Sequence, residues 1–115
     1  MEGEMLKGHL DMIVLAALAA AGSAHGYAVI EEIKLRSGGA FDLPEGTIYP
    51  ALHRLEQAGQ LNSRWTTADN GRRRRVYSLT KAGTRALAER RAVWKQFSDA
   101  IGGLLGGIRP RENPA

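Results

Sequence analysis

A tyrosine, a proline, a histidine and an arginine lie close together in the segment LPEGTIYPALHRLEQAG, residues 43–59. An arginine carries paired N–H donors that match the two acceptors of guanine in the major groove, and a tyrosine hydroxyl can bind a phosphate. Ile48, Leu52 and Leu55 recur at helical spacing, which predicts one helix with a buried stripe and a polar side. The candidate nucleic-acid contacts on that helix are Thr47, Tyr49, Pro50, His53 and Arg54.

The start of this helix is predicted from its proline. Pro50 lacks an N–H and is best tolerated in the first turn, where that donor would have no helical partner. We therefore predict Thr47 as the N-cap and Gly59 as the residue that closes the helix. Free N–H groups at such a helix start attract phosphate. In the alternative interpretation, Tyr49 is partly core and His53 is an ordinary solvated side chain.

A run of four arginines, Arg72 to Arg75, follows the turn dipeptide Asn-Gly. Successive residues of a strand point to opposite faces, so Arg73 and Arg75 are expected on the face of Tyr77. The other two, Arg72 and Arg74, are expected on the opposite face. Such runs are often merely solvated, but this one follows the candidate helix, which favours contact with DNA phosphates. Binding should then weaken steeply as salt rises, because each neutralised phosphate releases counterions.

Composition indicates one domain, and its charge distribution suggests a polyanionic partner, with a solvated charged face as the alternative that composition alone leaves open. The 115 residues suffice for a single core, and residues 1–57 hold 4 basic and 8 acidic side chains against 12 basic and 4 acidic in residues 58–115. The chain has no cysteine, which excludes disulfides and thiolate metal sites and is typical of the reducing cytoplasm. Its histidines, His9, His25 and His53, lie in separate segments without metal-ligand spacing. We therefore expect no metal, no cofactor and no catalysis.

The apolar run MIVLAALAAA, residues 12–21, is about half as long as a membrane span needs to be. The acidic residues Glu2, Glu4 and Asp11 precede it, which is unlike the basic start of a signal peptide. We expect a cytoplasmic protein without a membrane segment.

Helical spacing predicts a first helix over 5–20 that is apolar nearly all round and a second helix over 26–36. Residues 21–26, AGSAHG, are interpreted as a break between the two, with His25 as a packing or helix-start residue. The third helix, a hairpin and a long last helix complete the order of a winged helix-turn-helix. The predicted fold is mainly α with a small β-hairpin, the wing.

The two strands of the hairpin are predicted over 61–67 and 73–79. A three-residue loop, 69–71, with its glycine in the left-handed conformation pairs Ala68 with Arg72. This odd loop length places four large residues on one face, namely Leu61, Trp65, Tyr77 and Leu79. A two-residue Asn-Gly turn would break that arrangement, and we therefore favour the longer loop.

The last helix is predicted over 80–105, with Thr80 as its N-cap. Apolar residues recur along it at the a and d positions of a heptad, interrupted by Arg90. Core packing is the commoner cause of such a stripe, but this helix is longer than the part of it that a three-helix core can cover. We therefore expect a DNA-binding domain over 1–79, a dimerisation helix over 80–105 and a flexible tail over 106–115. The candidate dimerisation residues are Leu10, Val14, Leu87, Trp94, Phe97, Ile101 and Leu104.

Four segments carry a resemblance to a known family: LKGHLDMIVLAAL (6–18), HGYAVIEEI (25–33), LPEGTIYPALHRLEQAG (43–59) and NGRRRRVYSLTKAG (70–83). Together they resemble the PadR family of transcriptional regulators over nearly the whole chain. The single last helix is similar to the small subfamily, which lacks a larger helical C-terminal domain.

The resemblance implies a homodimeric repressor that binds an inverted repeat in double-stranded DNA, with the first and last helices forming the dimer interface. It also implies that the motif residues on the third helix and the arginines of the wing contact DNA. Family members commonly respond to small aromatic molecules, which makes Trp94 a candidate ligand contact. The alternative is that Trp94 only anchors the dimer. The other hypothesis for the whole chain is a winged-helix interaction module whose arginines bind an acidic protein.

Overall fold

The computed structural model describes residue 6 and residues 8–106 of the chain. The helices in this part are α1 (Leu10–Ala21), α2 (Gly26–Arg36), α3 (Glu45–Gln57) and α4 (Lys81–Leu105), and the strands are β1 (Ser23–His25), β2 (Leu61–Thr67) and β3 (Arg73–Leu79). The prediction of a mainly α winged helix-turn-helix is confirmed, and α2 has the predicted bounds. No helix in the described ranges is both long and apolar enough to cross a membrane.

The core lies between α1, α2, α3 and the first turns of α4. On α3 the predicted stripe of Ile48, Leu52 and Leu55 is buried, with no residue more than 2% exposed. From α1, Val14 and Leu15 are fully buried against it, whereas the alanines on the other side of α1 are exposed. The first helix is therefore buried on one side within this chain and leaves a second apolar side open.

The first helix begins later than predicted. Gly8 and His9 form a turn, with the His9 N–H donating to the Leu6 carbonyl at 2.9 Å, and α1 proper starts at Leu10. Residues 1–5, where the predicted helix began, lie outside the described residues. So does the predicted tail, apart from Gly106, which ends α4.

The sheet has three antiparallel strands in the order β1-β3-β2, one more than the predicted hairpin. Residues 23–25, interpreted from sequence only as part of a break, pair with β3, with Ala24 opposite Tyr77. Gly22, at a φ of 82°, ends α1 in a left-handed conformation and allows the chain to turn into β1. A three-residue strand carries no readable periodicity, because its existence depends on the distant strand that supplies its hydrogen bonds.

The predicted register of the wing is confirmed. The Ala68 N–H donates to the Arg72 carbonyl at 2.7 Å, and Gly71 has a φ of 83°. Leu61 lies opposite Leu79, and the four predicted residues share one face of the sheet. Leu61 and Tyr77 are buried there, but Trp65 lies beyond the edge of the core and is 56% exposed.

The start of α3 differs from its prediction. Thr47 is not the N-cap, since the helix begins at Glu45 and the Pro44 carbonyl accepts from the N–H groups of Thr47 and Ile48 at 3.0 and 3.2 Å. Pro50 is therefore the sixth helical residue and not the third. Its missing N–H leaves the carbonyl of Gly46 without a helical donor, but Gly46 is exposed and water can bind there.

The long last helix is capped as predicted. The hydroxyl of Thr80 accepts from the Gly83 N–H at 3.0 Å, and the same hydroxyl donates to the Gly59 carbonyl at 2.7 Å. Gly83 and Leu87 bury the first turns of α4 in the core, whereas almost every residue from Arg91 onward is exposed. More than half of α4 therefore extends beyond the core of its own chain.

Candidate nucleic-acid interface

The polar side of α3 is open to solvent as predicted. Tyr49, Pro50, His53 and Arg54 are all exposed on α3, and Thr47 is half-buried in its first turn. The buried stripe on the opposite side anchors α3 to the core, so these side chains are presented on a rigid element. This side of α3 can approach another molecule without any rearrangement of the core.

Tyr49 is held by the glycine of the HGY segment. Its ring packs over Gly26, the first residue of α2, so closely that a Cβ at position 26 would lie 2.5 Å from its Cε1 atom. Tyr49 is still 39% exposed, so it is both packed and presented to solvent. Neither sequence interpretation of Tyr49 was complete, because the contact comes from a residue 23 positions earlier in the chain.

Arg54 has a partner that sequence reasoning missed. Its guanidinium forms an ion pair with Asp11 of α1, and the same carboxylate lies 3.6 Å from Nη2 of Arg90 on α4. Asp11 thus connects α1, α3 and α4. Its pairing with Arg90 explains why a charged residue stands at this heptad position of α4. Exposed ion pairs add little stability, but this one restricts where the Arg54 guanidinium can lie.

The four wing arginines are not equivalent. Arg72, Arg73 and Arg74 are exposed, whereas Arg75 is half-buried and donates from Nε to the Ser63 hydroxyl at 2.7 Å. The register places Arg73 and Arg75 on the face of Tyr77, as predicted. Among the described residues, Arg75 is the one wing arginine paired with a carboxylate, that of Glu56 on α3. The wing is therefore tied to α3 and still presents three arginines to solvent.

His25 precedes α2, in agreement with its interpretation as a helix-start residue. It is half-buried opposite Val76 in the sheet. Burial lowers the pKa of His25 below its ordinary value of 6.5, and the positive charge of Arg74 lowers this pKa further.

This lowered pKa predicts a loss of stability in mild acid. Well above pH 6.5, His25 is neutral in both the folded and the unfolded chain and has no effect on stability. Below it, the unfolded chain takes up the proton more readily, so the free energy of unfolding falls until the pH drops below the lowered pKa. Melting temperatures of wild type and His25→Gln between pH 7.5 and 5.5 test this. The variant should lose less stability over that range, and identical pH profiles would contradict the assignment.

The predicted dimerisation residues fall into two groups. Val14 and Leu87 are buried in the core of the chain itself, and Leu10 is half-buried against it. The others lie on the projecting part of α4, in an apolar strip formed by Val93, Trp94, Phe97, Ile101, Leu104 and Leu105, each at least 37% exposed. Val93 and Leu105 flank the heptad positions and were not predicted. This apolar strip is available to another molecule.

A groove of about 450 Å³ lies between the turn before α1 and the apolar strip. His9 and Met12 line one side and Trp94 and Phe97 the other. The rings of His9 and Trp94 lie in a T-shaped arrangement with an interplanar angle of 70° and a centroid distance of 5.2 Å. The groove has the size and aromatic lining that a small planar molecule requires.

Comparisons with known proteins agree with this geometry. The model of the transcriptional regulator PadR-like family matches residues 14–89. A transcriptional regulator of Mycobacterium tuberculosis, Rv3488, is 43% identical over 86 residues, which are 74% of this chain and 77% of that protein.

Solved structures show the same fold. A PadR family transcriptional regulator from Eggerthella lenta has a TM-score of 0.74 and 34% identity, covering 91% of this chain and 88% of its own. A PadR-like transcription factor from Bacteroides fragilis has a TM-score of 0.72 and 29% identity, covering 88% and 94%. The exposed helix, the arginine-bearing wing and these matches lead to one conclusion: the chain belongs to the PadR-like family of transcriptional regulators.

Proposed function

We propose that this protein is a homodimeric, cytoplasmic repressor that binds an inverted repeat in promoter DNA. The observation that carries the proposal is the exposed polar side of α3 beside a wing with three solvent-facing arginines. In this arrangement α3 enters the major groove, where Arg54 and His53 reach base edges. The three exposed wing arginines, Arg72 to Arg74, bind phosphates, and Tyr49 and the start of α3 fix the position of the helix against the backbone.

The dimer is proposed from the apolar strip on α4. Soluble monomers rarely expose a contiguous apolar surface of this kind, and the exposed alanines of α1 provide a second apolar surface nearby. A twofold dimer would place two α3 helices about 34 Å apart, one turn of DNA, which matches an inverted repeat. A small aromatic effector bound in the groove beside Trp94 would contact α1 and α4 together and could release the repressor.

Binding to the DNA upstream of the protein's own gene, compared with an unrelated duplex at two salt concentrations, tests the proposal. Selective binding that survives moderate salt is expected, and His53→Ala with Arg54→Ala should reduce the affinity ratio between the two duplexes. Equal binding that vanishes with salt would show that the arginines provide only nonspecific attraction. A reporter driven by the bound promoter should then rise when the gene is deleted, and a fall would contradict repression.

Gly26→Ala is expected to weaken binding about tenfold with little loss of stability, a change of roughly 1.4 kcal/mol in binding free energy. The new methyl group would displace the ring of Tyr49, and the far end of that ring can move without disturbing the core. DNA affinity and the melting temperature are measured for the variant.

The control for this variant is Tyr49→Ala alone and combined with Gly26→Ala. If displacement of Tyr49 causes the loss, the methyl group should have no further effect once the ring is gone. An equal loss in both backgrounds would mean that position 26 acts in another way.

A further inference from the structure

Trp65 lies near the middle of β2, on the face that buries Leu61 and Tyr77, yet it is 56% exposed. An indole in this position contributes little to the core, because the apolar surface that stays exposed gains no free energy of burial on folding. Its neighbours on the same face are Arg73 and Arg75 of β3, with Arg75 directly opposite. Two arginine side chains therefore lie beside the exposed indole of Trp65.

Both guanidinium groups lie over the indole. The Cζ atom of Arg73 is 4.9 Å from the ring centroid, and that of Arg75 is 5.5 Å away. These distances are within the range of a cation–π interaction, which uses the flat face of the guanidinium and leaves its in-plane N–H donors available. The two arginines differ in the hydrogen-bond and ion-pair partners of those donors.

The donors of Arg75 are engaged within the protein. Its Nε donates to the Ser63 hydroxyl at 2.7 Å, and its Nη2 lies 3.6 Å from the Glu56 carboxylate, which also accepts from the Ser63 hydroxyl. Glu56 belongs to α3, so this network of hydrogen bonds and the ion pair joins α3 to the wing. Arg75 is consequently placed by two partners and has its charge balanced.

Arg73 is exposed and has no carboxylate partner in the described part of the chain. Because the indole already restricts its side chain, less conformational freedom is lost when its N–H donors bind a phosphate. We propose that Trp65 is a positioning residue that holds Arg73 for a DNA phosphate, while Arg75 serves as the anchor between α3 and the wing and does not contact DNA. This inference rests on the proposed DNA-binding function.

A double-mutant cycle on DNA affinity tests the role of Trp65. Trp65→Leu should weaken binding about fivefold to tenfold in wild type and have little effect in an Arg73→Ala background, because the side chain that it positions is gone. Arg72 lies on the opposite face of the wing, so when Trp65→Leu is combined with Arg72→Ala, the fold losses in affinity of the two single variants should multiply. Trp65→Leu causing the same loss with and without Arg73 would overturn the proposal.

The role of Arg75 is tested by charge-preserving variants and does not depend on the folding of Trp65→Leu. Arg75→Lys should weaken binding nearly as much as Arg75→Ala, since lysine cannot maintain the contacts with Ser63 and Glu56, whereas Arg74→Lys should bind almost like wild type. Arg73→Ala should reduce the magnitude of the salt slope by about 0.9, and Arg75→Ala should leave it unchanged. Wild-type affinity in Arg75→Lys would overturn this part.

A nonspecific duplex at low salt can replace the promoter in these affinity measurements, because contacts with phosphates do not depend on the base sequence. Wild-type protein that binds the promoter and the unrelated duplex equally would therefore contradict the proposed promoter recognition. The double-mutant cycle of Trp65 and Arg73 could still be measured on the unrelated duplex. Wild type that binds no duplex at all would overturn both proposals.

Discussion

Gly83→Ala is expected to lower the free energy of unfolding by about 2 kcal/mol or more, and the melting temperature by roughly 10 °C. A Cβ at position 83 would overlap the backbone oxygen of Gln60 and lie 3.0 Å from the carbonyl carbon. That oxygen cannot move freely, because it accepts from the Thr80 N–H at 3.1 Å. The methyl group would thus push α4 away from the turn between α3 and β2, where the Thr80 cap is also anchored.

Gly102→Ala is the matched control in the same helix. Apart from its chain neighbours and the backbone of its own helix, a Cβ there meets no atom of the described residues within 4 Å, so alanine should stabilise α4 by up to about 1 kcal/mol through its higher helix propensity. The two substitutions are chemically identical and are expected to have opposite signs. Both are measured by thermal melts at equal protein concentration, since the proposed dimerisation would make the melting temperature concentration-dependent. A Gly83→Ala variant as stable as wild type would contradict the packing described for α4.

Phe97→Glu is expected to convert the dimer to a monomer and to weaken promoter binding about 100-fold or more. Phe97 is 56% exposed near the centre of the apolar strip, with its ring 6.0 Å from that of Trp94. A buried, unpaired carboxylate would make an interface through this strip unfavourable. A monomer would engage only one half of an inverted repeat and would lose the contribution of the second α3.

Gln96→Glu is the control for this variant, because it introduces the same charge at the neighbouring position, outside the apolar strip. It should remain dimeric and bind like wild type apart from a small electrostatic loss. Sedimentation and DNA binding are measured for all three proteins. A Phe97→Glu variant that stays dimeric with unchanged affinity would place the interface elsewhere, and a monomeric wild type with full affinity would contradict the dimer.

Local chemistry explains why several elements could be predicted from the sequence by itself. The register of the wing follows from a three-residue loop with a left-handed Gly71 and from the parity of large side chains on each strand. The cap of α4 depends on Thr80 and on an N–H three residues later. The stripe of α3 needs only helical spacing. Each of these features depends on residues that are close in sequence, so the local sequence is sufficient to predict it.

Features that depend on distant partners could not be predicted in this way. β1 exists because β3 supplies hydrogen bonds to residues 23–25. The guanidinium of Arg54 is held by Asp11, 43 positions away.

The candidate site shows the same division. Residue type and spacing predicted α3 and the arginine run as the candidate DNA-contacting surface, since exposed charges on a helix and a hairpin follow from pattern. The different surroundings of Arg73 and Arg75, on which their proposed roles rest, were decided only by tertiary structure. Strand pairing brought Trp65 beneath both, and the packing of α3 on the wing brought Glu56 to Arg75 alone. Identical residues in one run thus acquire different surroundings, because their partners come from other elements of the fold.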